Sequence, residues 1–127
     1  MDSGGKCYES VIILSPILHD AENKDIFNKI EGFIKENGGS IVEGKIIGLK
    51  KMAYSIKKFE NGYYIYFEFN IDPSKIKDLE IFYRRDERII RFIVCSLDKE
   101  GIKYNKERRE KNGNILSIVY EKNRQLV

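Results

Sequence analysis

Apolar positions along this chain switch between two rhythms: the alternation of strands and the three-to-four-residue spacing of helices. Cys7–Leu14 predicts a first strand, with Tyr8, Ile12 and Leu14 on one side and Val11 and Ile13 on the other. Apolar residues on both sides mark a central strand. Ser15-Pro16 ends it. Asp20 is the predicted N-cap of a helix whose core-facing stripe is Ile26, Ile30, Phe33 and Ile34, with Phe27 at its edge. Gly32 costs about 1 kcal/mol relative to Ala inside a helix, which points to close packing there. Gly38-Gly39 supplies the left-handed residue that stops the helix.

Ser40–Ile47 begins a second strand, and Gly48 marks a bulge or bend in it. Met52, Tyr54 and Ile56 then alternate with Lys51, Ala53, Ser55 and Lys57, which predicts one buried and one wet face. Lys58–Gly62 reads as the hairpin connection, because Asn61-Gly62 readily takes positive φ. In the third strand Tyr63, Ile65, Phe67 and Phe69 face the helices, and Tyr64, Tyr66 and Glu68 face away. Asp72-Pro73 opens a second helix with Ile76, Leu79, Phe82 and Tyr83 as its buried stripe. Arg84-Arg85-Asp86-Glu87 closes it, and Arg88–Leu97 is the last strand.

Strand, helix, strand, strand, helix, strand predicts an α+β fold: a ferredoxin-like two-layer sandwich, βαββαβ. Its four-stranded antiparallel sheet carries two helices on one face and leaves the other free. The expected division is a loose start over 1–6, the domain over 7–97, and a charged C-terminal tail over 98–127. Lys103–Asn114 is short of large apolar residues and reads as extended or mobile. Ile115–Tyr120 is an apolar island within that tail.

Composition narrows the function. A chain of 127 residues suits one domain. No apolar run approaches the roughly 18 residues of a membrane span, and MDSGGKCYES lacks the apolar core of a signal peptide. The expectation is a cytoplasmic protein with no membrane contact, its Cys7 and Cys95 reduced. Eight of the 23 basic and five of the 20 acidic residues lie from Asp98 onward, leaving 15 of each before it. A neutral body does not hold nucleic acid by bulk charge, so such a role needs local clusters or a basic partner.

Candidate chemistry is sparse. A single His19 beside Asp20 reads as a helix-start residue, and no glycine pair is followed by the Lys-Ser/Thr of a phosphate loop. The expectation is no enzyme, cofactor, metal or small-molecule substrate. The basic clusters say more. Lys50-Lys51 and Lys57-Lys58 bracket one strand, and Arg84, Arg85, Arg88 and Arg91 span the end of the second helix and the last strand. Their plain reading is solvated surface and charges complementing a helix dipole; their functional reading is phosphate contact. Tyr64 and Tyr66, on the face away from the helices, are candidates for covering the sheet or meeting a protein partner. An RNA-binding module of this topology stacks bases on third-strand aromatics. Here Asn61 stands at its basic position, Tyr64 at its small one, and the first strand's VIIL lacks the partner aromatic.

At these residues the chain resembles the bacterial small-subunit (30S) ribosomal protein six family, in its Bacteroidetes-like branch. That family opens with Tyr-Glu, here Tyr8-Glu9, then an apolar strand and a proline, here Pro16. Its signature of Trp-Gly, basic residues, Leu-Ala-Tyr-Pro-Ile and lysine is similar to Ile47-Gly48-Leu49-Lys50-Lys51-Met52-Ala53-Tyr54-Ser55-Ile56-Lys57. Gly62-Tyr63, Leu79-Glu80 and Tyr83–Arg91 continue the likeness, which covers roughly residues 7–100. The departures are Ile47 for Trp, Ser55 for Pro, and Leu49 at a basic position. The resemblance implies a structural protein of the cytoplasmic small ribosomal subunit. It would bind the central domain of the small-subunit rRNA together with ribosomal protein eighteen, a basic partner that supplies much of the phosphate binding. On this reading Lys50, Lys51, Lys57, Arg84, Arg85, Arg88 and Arg91 contact RNA, and Tyr64 and Tyr66 contact the partner. Two other readings stand beside it. One is a stand-alone ferredoxin-like module, with no RNA role, that dimerises through its free sheet face and senses a small ligand or meets a protein. The other is an acylphosphatase-like hydrolase, whose glycine-rich phosphate cradle with its Arg is absent from Ser15-Pro16-Ile17.

Overall fold

The computed structural model describes residues 5–111. Its elements run β1 (Lys6–Leu14), α1 (Asp20–Glu36), β2 (Ser40–Ile56), β3 (Phe59–Ile71), α2 (Ile76–Arg85), β4 (Ile89–Ser96) and α3 (Lys99–Glu110), with a 3-10 turn at Pro73–Lys75. The four strands form one antiparallel sheet in the order β2-β3-β1-β4. This is the predicted ferredoxin-like architecture.

Local chemistry accounts for the element ends. α1 starts one residue before the expected point, with His19 as N-cap; the His19 N–H donates to the Glu22 carboxylate at 3.2 Å. Asp72 accepts from Ser74 N–H at 2.9 Å, and Pro73 opens the turn that feeds α2. Gly48 (φ +98°) sits at the expected bulge in β2, where the register against β3 shifts. Gly32 does not serve close packing, since a Cβ there would meet nothing within 4 Å.

Two apolar clusters sandwich the sheet. On one face Ile12, Leu14, Ile65, Phe67 and Phe69 pack under Ile26, Ile30 and Ile34 of α1 and Leu79 and Tyr83 of α2. On the other, Val11, Ile13, Tyr64, Tyr66 and Ile90 pack with Met52 and Ile56. The second cluster explains why β1 and β3 are apolar on both sides.

The hairpin corrects the sequence reading. Its turn is Lys57-Lys58, both left-handed (φ 51° and 71°), while Asn61 and Gly62 lie inside β3 opposite Lys51 and Lys50. Gly62 is there for packing: a Cβ would run into the Ile13 side chain and lie 3.3 Å from Met52 Sδ. Between the Lys51–Asn61 and Ile56–Phe59 pairs, β2 carries more residues than β3. The surplus arches outward. Met52 and Ile56 tuck onto the sheet, whereas Tyr54, expected to be buried with them, is 57% exposed.

The tail reading is also corrected. Residues 99–110 form a helix, N-capped by Asp98, whose carboxylate accepts from Gly101 N–H at 2.8 Å. α3 lies on the sheet face away from α1 and α2, and its buried residues are polar, Asn105 and Arg108. Ile102 and Tyr104 point to solvent. A helix docked by its polar side has no apolar stripe to announce it. The Ile115–Tyr120 island lies outside the described residues.

Candidate nucleic-acid interface

Three of the seven cationic candidates meet. α2 ends in Arg84, whose guanidinium carbon lies 5.4 Å from the centroid of the Phe92 ring on β4. Tyr83 supports that ring from beneath, centroid to centroid 5.0 Å. Arg91 is exposed on β4, and the curled β2–β3 hairpin brings Lys57 alongside. Lys57, Arg84 and Arg91 thus border one groove of about 480 Å³, with Ile90, Phe92 and Ile93 among its apolar lining and Glu80 as its carboxylate.

The other four stand apart from this groove. Lys50 and Lys51 lie on β2, at the opposite end of the strand order. Arg85 lines a second depression of about 460 Å³ with Lys29, Phe82 and Arg88. Arg88 is occupied internally. Its Nε and one terminal nitrogen donate to the two Asp86 oxygens at 2.9 and 2.7 Å, and the other reaches Asp25 at 3.1 Å. The hydrogen bond from Arg88 holds the Asp86 carboxyl below its usual range, and the Asp86 bond raises Arg88 in turn. Arg88 therefore fastens the start of β4 to α1.

Tyr64 and Tyr66 face away from α1 and α2, as expected, but they are not exposed. Both are 0% accessible within the second cluster. Tyr66 Oη donates to Glu9 at 2.5 Å; burial and this neighbouring carboxylate lift the phenol far above its ordinary range. A polar network extends from that bond. Asn105 of α3 donates to Glu9 at 2.8 Å and to Glu68 at 3.1 Å, and Arg109 donates to Glu68 at 2.7 Å. Arg108 pairs with Glu43 at 2.8 Å. Cys7 donates to Glu68 across 3.7 Å, and its thiol is pushed up to about 12 by burial first and Glu68 second. Glu9 and Glu68 interrupt otherwise apolar strands, and two mid-strand glutamates are the sequence signal that this face has a polar cover. Among the described residues no group of acids, cysteines and histidine could hold a metal. No described helix is long and apolar enough to cross a membrane.

The family profile described as "Ribosomal protein S6" matches residues 7–96. Small ribosomal subunit protein bS6 of Bacteroides thetaiotaomicron is 42% identical over 107 residues, covering 84% of this chain and 94% of the relative. The Flavobacterium psychrophilum protein of the same name is 39% identical, with 82% and 92% covered. Among solved structures, the crystal structure of 30S ribosomal protein S6 from Thermotoga maritima superposes with a TM-score of 0.71. Its sequence identity is 29%, and the match covers 85% of this chain and 98% of that one.

Proposed function

The chain belongs to the ribosomal protein S6 family, non-enzymatic components of the cytoplasmic small ribosomal subunit, and from that premise we propose that it binds the central domain of the small-subunit rRNA together with ribosomal protein eighteen. The observation that carries the RNA part is the convergence of Lys57, Arg84 and Arg91, distant in sequence, on one groove with an aromatic in its lining. Lys50 and Lys51, on β2 at the other end of the strand order, and Arg85, in the second depression, add phosphate contacts, while Arg88 acts by holding β4 in place. A body with 15 basic and 15 acidic residues before Asp98 needs help from a basic partner. Burial removes Tyr64 and Tyr66 from direct contact with that partner as long as the second cluster stays closed. Val42, Ile46 and Leu49, exposed along the outer strand β2, are the apolar surface we assign to it instead.

The dimeric ligand-sensing alternative needs a free sheet face. Here α3 and the arched end of β2 cover that face. The test is a sucrose-gradient profile of lysate carrying the tagged full chain. The chain is expected in the small-subunit peak, and its absence there sinks the proposal. Purified without a partner, it should hold rRNA fragments weakly, with tight binding refuting the shared-charge argument.

A further inference from the structure

The groove has a more specific shape than a phosphate patch requires. Among the described residues β4 has β1 as its sheet neighbour, and Ile89–Val94 run along the groove. On the helix side the exposed Arg84 guanidinium lies over Phe92, 5.4 Å from the ring centroid. Lys57 and Arg91 share the lining with Ile90 and Ile93. Three cations and one carboxylate, Glu80, line the same depression.

We propose that this groove takes a single unpaired RNA nucleotide. Its base stacks on the exposed Arg84 guanidinium, and its phosphate lies between Lys57 and Arg91. The edge of the base is read by the stretch of β4 that lines the groove. This rests on the rRNA-binding reading above. Arginine planes and aromatics stack bases that have left a helix, whereas a base in a duplex keeps its own neighbours and hides its pairing edge. About 480 Å³ is room for a small ligand. An added protein strand would also fit alongside β4, but it would leave three cations unmatched.

The test is fluorescence anisotropy at low salt with the full chain. The probes are a labelled oligoadenylate about ten nucleotides long, an RNA duplex of equal length, and an acidic peptide of alternating glutamate and valine. Arg84→Lys keeps the charge but removes the stacking plane. It should weaken oligoadenylate roughly 5- to 100-fold and leave both duplex binding and the salt slope unchanged. Lys57→Ala should lower the salt slope by about 0.7. The proposal is overturned if Arg84→Lys binds like the parent, or if the duplex suffers equally. It is also overturned if the parent ignores the oligoadenylate, or if the peptide binds more tightly and protects the β4 amides from hydrogen exchange. A parent chain that sediments with the small subunit while Arg84→Lys is silent defeats the groove alone. A parent chain missing from that peak defeats the rRNA reading beneath it.

Discussion

Replacing Arg109 with methionine tests whether α3 is held by the two buried glutamates. Glu68 is 1% exposed, and Arg109 is the cation that meets it, at 2.7 Å, with 25% of its own side chain accessible. Removing one partner of a fully buried pair costs about 3–5 kcal/mol, chiefly because the other charge is stranded. Here Glu68 keeps Asn105 at 3.1 Å and the Cys7 thiol at 3.7 Å, and Arg109 is partly hydrated. The expected loss is therefore about 2 kcal/mol. In a chain of this size that lowers Tm by about 8 °C. Methionine preserves the length of the side chain, so lost packing adds little. The decisive comparison is the double variant Glu68→Gln/Arg109→Met. A neutral glutamine no longer needs a cation, so the double variant should be more stable than Arg109→Met alone. Urea unfolding followed by circular dichroism measures all of these. Additive losses, or an Arg109→Met variant within about 0.5 kcal/mol of the parent, would refute the idea that burial of Glu68 anchors the helix.

Arg88→Ala should cost roughly 1 kcal/mol, since its partners are partly exposed, while leaving the affinity for RNA unchanged; a loss of RNA affinity without a loss of stability would reverse the assignment. The same pair sets an acid limb. With the folded Asp86 carboxyl depressed below 3.8, its contribution is present above that value and fades as pH falls through the folded value, which a pH series of unfolding midpoints on Arg88→Ala should flatten. Lys58→Gly relieves a left-handed lysine (φ 71°) and should stabilise by about 1 kcal/mol in thermal unfolding. The Cys7 thiol, raised from 9.0 to about 12, should resist alkylation in the native state. Because the unfolded thiol ionises first, it also makes stability decline from about pH 9 upward, a slope that Cys7→Ser should lessen.

Periodicity located β1, both main helices and the two faces of β3, because each of those buries a continuous apolar stripe in one of the two clusters. It failed where packing and not patterning decides. Asn61-Gly62 has the composition of a turn, but Gly62 is small to let Ile13 and Met52 pass. The lysines that do turn, Lys57 and Lys58, carry no turn signal. Tyr54 keeps the alternation of Met52 and Ile56 yet points outward, because the arch of β2 breaks the pleat. For the candidate site, charge clusters found Lys57, Arg84 and Arg91 but could not tell them from Arg88, whose nearby Asp86 and distant Asp25 hold it in place. Tyr64 and Tyr66 were placed on the correct face and assigned the wrong exposure, since α3 docks through asparagine and arginine.

The polar attachment of α3 also has a bearing on the order in which the chain is made. All four strands, with Glu9 and Glu68 on them, precede Asn105, Arg108 and Arg109 in the chain and leave the ribosome before them. Until then the two carboxylates sit on an uncovered sheet face, where water hydrates them and like charge discourages a second nascent chain from pairing there. Closing that face is consequently a late event, set by the last helix to leave the exit tunnel. On that side Glu9 and Glu68 set charge beside the apolar cluster of Val11, Ile13, Tyr64 and Tyr66, and the charge works against sticking until α3 arrives.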